Sequence, residues 1–411
     1  MPNNDDLDIP DFVKNSGRSP VARTKSQSDA NKCLIWSDDL KSEMIPSRLL
    51  SRHVSFADLV SEEPVENPDG SALWVGKFGL RGIGLMLSGG LSARSMNVSE
   101  DAPPLVTVRQ TPLGDTALTF AVFDGMGGAG SSMMQVKTVQ PPVECSQAYI
   151  ASRIVRNAIK EIAITNVGLK AHDLEVRLKL KLSEFSSENA IVEGSKIRGS
   201  MTKRLPSTIA AVRCDIPTQT TFYRTQTIEA IWAGDSRIYV MSPSRGLSVV
   251  SKDDVRSTDA LEQLRTDPPI ENVVNESVSF KLNQRKVSVE VPCIVIAATD
   301  GLFGYLYTPG YLEFLVLDCL SKAQTMHEFT SILLKEASTF AADDISFVIA
   351  FLGFGTDIEK VRIAFRARYE RLKVLYRPLL DKPVDEDSEP LIESIWNIER
   401  PSFNWFIGDD K

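Results

Sequence analysis

The sequence predicts an α+β fold in which β-sheets pack together and amphipathic helices cover them. Three short apolar segments, bounded by glycine or acidic residues, have the pattern of buried strands. They lie at residues 118–123, 291–299 and 345–352. Other segments have helical patterns, and they lie at residues 144–165, 172–185, 309–323 and 325–340. Because such strands and helices bury their apolar sides against each other, layers of sheet and helix are expected.

Each of these three strands carries an acidic residue at one end. The first runs into Asp124-Gly125, the second runs into Asp300-Gly301, and Asp343-Asp344 precede the third. A strand holds a carboxylate rigidly, and a following glycine lets the backbone turn sharply beside it. Hard divalent cations take oxygen ligands of this kind. The repeated pattern predicts a metal site where the strand ends converge, although one such motif read alone is equally well an ordinary strand and turn.

Several motifs along the chain also follow one another in a familiar order. FAVFDGMGG, IWAGDSRIYV, IAATDGLF and DDISFVIAF occur in sequence, and Glu100-Asp101 and Pro206-Ser207-Thr208 lie at matching places. Together they resemble the type 2C (PPM-type) metal-dependent protein serine/threonine phosphatases over about residues 75–355. Met126, where many members have histidine, is similar to the bacterial branch with DGMGG. The resemblance implies a four-layer α-β-β-α sandwich: two antiparallel β-sheets face to face, helices outside, and a dinuclear metal site at one edge.

The resemblance also implies a set of metal ligands. Asp124 would bridge two Mn²⁺ or Mg²⁺ ions, Asp300 and Asp343 would complete one of them, and the Gly125 carbonyl with Glu100 or Asp101 would complete the other. A metal-activated water would then attack phosphorus without a phosphoenzyme. An all-oxygen ligand set without histidine or cysteine favours Mg²⁺ or Mn²⁺ over Zn²⁺.

Other residues of the implied site surround these ligands. An arginine shortly before the Glu-Asp pair would bind phosphate oxygens; Arg94 is the first candidate, and Arg81 is the alternative because Arg94 lies two positions further from the pair than expected. Asp235 and Arg237 are expected to be structural residues near the site. Residues 251–290 are expected to form a mobile flap beside the metals.

The implied function is hydrolysis of phosphoserine and phosphothreonine in proteins, with phosphorylated proteins as substrates. Two alternatives stay open. One is a catalytically weak pseudophosphatase that acts as an adaptor, which the irregular Arg94 spacing and Pro206 in place of glycine favour. The other is a phosphatase of a small phosphorylated molecule. Retention of every acidic residue favours an active enzyme over the adaptor.

Composition limits the partners and the compartment. The chain has 411 residues, 43% of them hydrophobic, and a net charge of −8, which gives no indication of nucleic acid or an anionic membrane as partner. The five cysteines show no CxxC spacing, which argues against a disulfide framework or zinc site. No apolar run approaches the length of a spanning helix. A cytoplasmic protein is therefore expected, and the resemblance implies a role in signalling.

The two ends of the chain differ from its centre. Residues 1–70 are polar and expected to be disordered. Residues 71–355 are expected to form the phosphatase domain, and residues 356–411 are expected to add an amphipathic helix and an aromatic tail.

The segment 52–58, RHVSFAD, resembles a short phosphatase-docking peptide and contains a candidate kinase site at Ser55, but such patterns are common by chance. The tail is expected to dock on the core, or on another protein, because Trp396, Phe403, Trp405 and Phe406 carry too much apolar surface to leave in water. A partner could thus bind through either extension.

Overall fold

The protein is described from a computed structural model. The described residues are 54–55, 65–66, 72–80, 83–94, 99–110, 115–136, 143–164, 168–193, 203–217, 224–381 and 388–408. The strands are β1 (Val54–Ser55), β2 (Val65–Glu66), β3 (Ala72–Leu80), β4 (Ile83–Ser92), β5 (Ala102–Gln110), β6 (Thr116–Phe123), β7 (Met133–Val136), β8 (Val143–Ser146), β9 (Ala190–Glu193), β10 (Ile209–Ile216), β11 (Thr225–Ala233), β12 (Arg237–Ser242), β13 (Gly246–Val249), β14 (Asn283–Glu290), β15 (Cys293–Ala298) and β16 (Ile345–Leu352). The helices are α1 (Gln147–Ile164), α2 (Ala171–Glu188), α3 (Ala260–Thr266), α4 (Asp300–Phe303), α5 (Tyr311–Lys322), α6 (Met326–Phe340), α7 (Ile358–Leu380) and α8 (Glu389–Phe403).

Two antiparallel sheets form the centre of the molecule. The first has the strand order β1-β5-β6-β10-β11-β14, and the second has the order β13-β12-β15-β16-β4-β3-β2. Every pairing within them is antiparallel. The strands β8-β7-β9 form a small third sheet. The strands that the sequence predicts around Asp124, Asp300 and Asp343 are thus β6, β15 and β16.

Alternation of side chains along the strands builds the layers. On β6, Phe120 and Val122 belong to the apolar cluster between the sheets, which also contains Val348 and Ala350 of β16. Phe123 points the other way, into the cluster that α1 and α2 cover. The outer face of the second sheet is covered by α5 and α6. The predicted four-layer α-β-β-α sandwich is therefore confirmed.

A turn at Gly234 interrupts the segment at residues 227–241. The segment forms two strands, and they belong to different sheets: β11 lies in the first sheet and β12 in the second. Gly234, with φ of +94°, makes the turn between them. A positive φ of this size is easily adopted only by glycine. The Gly-Asp-Ser segment therefore crosses from one sheet to the other.

The structure corrects the expected flap at residues 251–290. Its last part, Asn283–Glu290, is β14, which pairs along its whole length with β11. The strand lies at the edge of its sheet. Its exposed side chains alternate with buried or half-buried ones, because one face of the strand meets water. Most residues of this strand are polar, so the sequence pattern does not predict a strand here. Residues 260–266 of this region form the short helix α3.

The C-terminal helices pack against the second helical layer. Phe365 and Tyr376 of α7 and Trp396 and Phe403 of α8 share one buried cluster with α5 and α6. Arg368 of α7 forms a buried ion pair with Glu313 of α5. Among the described residues, no helix is both long enough and apolar enough to cross a bilayer.

Candidate metal and phosphate site

Five aspartates from both sheets lie at one end of the sandwich. Asp101 immediately precedes β5 and Asp124 follows β6 in the first sheet, while Asp300 follows β15 and Asp343 lies just before β16 in the second sheet. Asp235 lies in the turn that joins β11 to β12. We call Asp101, Asp124, Asp235, Asp300 and Asp343 the acid cluster. The antiparallel topology brings these residues together although they are far apart in sequence.

Mutual repulsion within the acid cluster affects its ionisation. Burial raises the pKa of Asp124 well above its ordinary value, and the negative charges of Asp101, Asp300, Asp343 and Asp235 raise it further. Burial also raises the pKa of Asp101, with added repulsion from Asp344 and Asp343, and hydrogen bonds with Asp124 and Thr299 lower it in part. The pKa of Asp235 is raised by burial and by Asp300 and Asp253. A bound cation would reverse this balance, because it stabilises the charged carboxylates.

The donor set of the acid cluster fits a hard divalent cation. All its side-chain donors are carboxylate oxygens, the ligands preferred by Mg²⁺ and Mn²⁺. The Asp235 Oδ1 atom is buried and accepts no hydrogen bond in the described structure, so it has capacity for a further partner. Among the described residues, however, no three acidic, histidine or cysteine side chains are arranged closely enough to enclose a metal ion. The acid cluster therefore offers the ligand type of a metal site, but among the described residues its side chains do not enclose an ion.

The glycine-rich turn after β6 is held tightly beneath the cluster. The backbone carbonyl of Asp124 accepts hydrogen bonds from the Thr208 amide and the Ser207 hydroxyl, both at 2.9 Å. Gly125 is buried and bridges to Ser207. A side chain at this position would collide with the carbonyl oxygens of Glu100 and Ala148. This close packing requires glycine at position 125 and fixes the backbone that carries Asp124.

Glu100 and Asp101 point to different places. Asp101 is 1% exposed, and Thr299 donates a 3.0 Å hydrogen bond to its Oδ2 atom. The Glu100 carboxylate instead lies over Gly127 and accepts a 2.8 Å hydrogen bond from the Ser146 hydroxyl. Of these two residues, the structure thus brings Asp101 against Asp124 and holds Glu100 against the glycine-rich turn.

The two aspartates before β16 also have separate environments. Asp343 is exposed, and its Oδ1 atom accepts a 2.8 Å hydrogen bond from the Asp344 amide. Asp344 is buried and binds the segment that carries Arg94 and Glu100. The side chain of Arg94 is exposed at this end of the molecule. The alternative candidate Arg81 lies outside the described residues.

Arg237 lies in a buried network next to the acid cluster. Its guanidinium forms a two-pronged ion pair with Asp253, in which Nη2 and Oδ2 are 2.7 Å apart, and it donates a 2.8 Å hydrogen bond to Gln263. It also lies over the ring of Phe303 at 4.5 Å. The next residue after Asp253, Asp254, accepts hydrogen bonds from the Gly234 amide and from side-chain amides. These contacts fix the crossing turn that carries Asp235.

Arg153 of α1 binds backbone carbonyls in the same region, and this role was not predicted from the sequence. Its Nη2 atom donates to the backbone carbonyls of Ser99 and Asp101, each at 3.1 Å, and its Nη1 atom donates to those of Glu100 and Tyr149. The sequence offered one signal: this arginine lies beside Ile154 in an apolar helical stripe. Nothing in that pattern could identify the carbonyls it binds, because they belong to a distant segment.

Comparisons with known proteins find similarity of structure only. No family model matches the chain, and no curated protein is similar enough to it to count as a match. The chain is similar to the structure of PppA, a regulatory component of T6SS in Pseudomonas aeruginosa, with 16% identity over 65% of this chain and 97% of that one and a TM-score of 0.43. The catalytic domain of the serine/threonine phosphatase PstP, in complex with two manganese ions, gives 15% identity, coverage of 66% and 98%, and a TM-score of 0.41.

A third similar structure is that of a C. elegans sex determining protein, with 16% identity, coverage of 68% of this chain and 67% of that one, and a TM-score of 0.45. At these identities and TM-scores the similarities carry no weight for function. Function is therefore inferred below from the residues of this chain. The bacterial branch indicated by Met126 stays a prediction.

Proposed function

We propose that this protein is a metal-dependent protein serine/threonine phosphatase that uses two Mn²⁺ or Mg²⁺ ions. The observation that carries the proposal is the acid cluster, in which both sheets contribute carboxylates to one end of the fold. Buried like charges destabilise a protein unless a cation compensates them, so this arrangement is costly for a purely structural role. The order of the motifs, which resembles that of the PPM-type phosphatases, supports the same function.

Each residue has a proposed role. Asp124, Asp300 and Asp343 would hold the ions together with Asp101 or Glu100 and the Gly125 carbonyl, and Asp235 would stay a structural neighbour with Arg237. When bound, the ions supply a water molecule of lowered pKa. Arg94 would bind the phosphoryl oxygens of the substrate and orient phosphorus toward the acid cluster. Phosphorylated proteins and a cytoplasmic location belong to this proposal.

The test is Mn²⁺-dependent release of phosphate from a phosphothreonine peptide. The wild-type chain should release phosphate only when metal is present, and Asp124→Asn should lower kcat/KM by at least about a hundredfold, because a carboxylate central to the cluster is removed. Asp267→Asn is the matched control. That aspartate is exposed, ends α3 in a left-handed conformation that asparagine tolerates, and should leave turnover unchanged.

Other outcomes separate the alternatives. Absence of turnover together with absence of Mn²⁺ binding in calorimetry would favour the adaptor. Turnover of small phosphorylated molecules, without turnover of phosphopeptides, would favour a metabolite phosphatase. Either result would overturn the proposed substrate class.

A further inference from the structure

Asp344 accepts three hydrogen bonds from one segment that is distant in sequence. Its Oδ1 atom accepts a 2.7 Å bond from the backbone amide of Arg94. Its Oδ2 atom accepts a 2.6 Å bond from the backbone amide of Glu100 and a 3.0 Å bond from the Ser99 hydroxyl. Asp344 is 8% exposed, so these three donors take the place of water around the buried carboxylate.

The segment that Asp344 binds joins the two sheets at the site. Strand β4, which ends at Ser92, lies in the second sheet, and β5, which begins at Ala102, lies in the first. The segment between them carries Arg94, Glu100 and Asp101. Ser92 pairs with Ile345 at the start of β16, so Asp344 lies directly beside the point where the segment leaves its sheet.

We infer that Asp344 is a positioning residue that clamps the segment carrying Arg94 and Glu100-Asp101 onto β16. The inference rests on the proposed function, since it assigns to Arg94 the contact with substrate phosphate. Because both of its oxygens accept hydrogen bonds from this segment, we assign to Asp344 a positioning role and not a direct contact with substrate. Its role is to hold the backbone from which Arg94 projects.

A carboxylate suits this clamp better than an amide side chain would. Donors approach both Oδ1 and Oδ2. An amide has one oxygen acceptor, and its NH₂ group would face an N–H or O–H donor on the other side. Asp344→Asn therefore keeps the size of the side chain and breaks one half of the clamp.

The experiment measures both binding and turnover of a fluorescent phosphothreonine peptide. Asp344→Asn should weaken peptide binding and raise KM by about tenfold, the effect of losing a hydrogen bond to a charged group, with a smaller change in kcat. Ser99→Ala removes one donor without changing any charge and should raise KM by about threefold. It keeps the inference testable if Asp344→Asn does not fold.

A double-mutant cycle with Arg94→Ala tests the coupling directly. If Asp344 acts through Arg94, adding Asp344→Asn to Arg94→Ala should raise KM little further. Additive effects, or a loss of thermal stability in Asp344→Asn without weaker peptide binding, would overturn the inference.

The two proposals fail in different ways. A wild-type chain that binds the peptide without hydrolysing it contradicts the proposed function, and weaker binding by Asp344→Asn would then still support the clamp. A wild-type chain that neither binds nor hydrolyses the peptide contradicts both.

Discussion

A single arginine on α1 sets the backbone that leads into the acid cluster. Arg153 donates to carbonyls of three consecutive residues, Ser99, Glu100 and Asp101. Its planar guanidinium can reach these acceptors at the same time, because its donors point in fixed and different directions. The same segment is bound by Asp344 through its amides. One residue thus fixes the carbonyl side of the segment and another fixes the amide side.

Replacing Arg153 by lysine should destabilise the protein although the charge is kept. The lysine ammonium cannot reach the carbonyls of both Ser99 and Asp101 from one position, so at least one buried acceptor loses its partner. We expect a loss of about 1–3 kcal/mol in the free energy of unfolding, measured by denaturant titration. Arg177→Lys is the control, because that side chain is 42% exposed in its ion pair with Glu161, and it should change stability by less than about 0.5 kcal/mol. Equal effects of the two substitutions would contradict the assigned role.

At the scale of elements, α8 is held in place partly by a buried carboxyl group. Glu399 accepts hydrogen bonds from Tyr376 of α7 and from Thr308, at 2.9 Å in the latter case. Burial raises the pKa of Glu399 to about 7, and the hydrogen bonds from Tyr376 and Thr308 oppose that rise. Its ion-paired neighbours Glu313 and Arg368 lie close enough to influence it, in opposite directions.

Packing of α8 should therefore weaken as pH rises. Because the pKa of Glu399 is higher in the folded than in the unfolded chain, its stabilising contribution is full below the unfolded value and is lost as pH rises through about 7. We expect the protein to lose about 2 kcal/mol of stability from this group between roughly pH 5.5 and 8.5. Thermal unfolding of wild type and Glu399→Gln at both values checks this. The variant should lack this part of the pH dependence, and the same pH slope in both proteins would exclude Glu399 as its source.

Local patterns predicted many of the elements well, and long-range pairing explains what they missed. Strand β16 begins and ends where the sequence predicts, because the run of apolar residues after Asp344 is bounded on both sides. The assignment of β11 and β12 to different sheets could not be predicted, since each strand pairs with partners distant in sequence. Asp124, Asp300 and Asp343 were candidates because of their positions at strand ends, and Asp101 was a candidate because its motif resembles that of a known family. The partners of Asp344 and Arg153 depend on which segments meet in space, which no local pattern records.

At the scale of the whole molecule, the C-terminal helices share the apolar core of the second helical layer. Phe365, Tyr376, Trp396 and Phe403 are buried there against α5 and α6. Arg265 of α3 also forms ion pairs with Glu389 and Glu393 of α8, which links this tail to the region beside Arg237. The tail after residue 355 therefore packs into the same apolar cluster as α5 and α6.

Removal of residues 356–411 should expose this core. We expect the shortened chain to aggregate or to lose cooperative unfolding, because large aromatic side chains and their partners would lie in water together. Circular dichroism during heating and size-exclusion chromatography are the measurements. Removal of residues 409–411 alone is the control and should leave the melting temperature unchanged. A soluble 1–355 chain with a sharp transition close to that of the full chain would show that residues 1–355 fold without the tail.

The acid cluster takes Asp101 and Asp124 from one sheet and Asp300 and Asp343 from the other. A divalent ion bound there would hold the two halves of the sandwich together at the end where their charges repel each other. By mass action, an ion at a hundred times its dissociation constant would add about 2.7 kcal/mol to the stability of the fold. Scarcity of the ion would then lower the lifetime of the protein in the cell as well as its catalytic rate. The supply of manganese or magnesium would set how much of this protein a cell keeps.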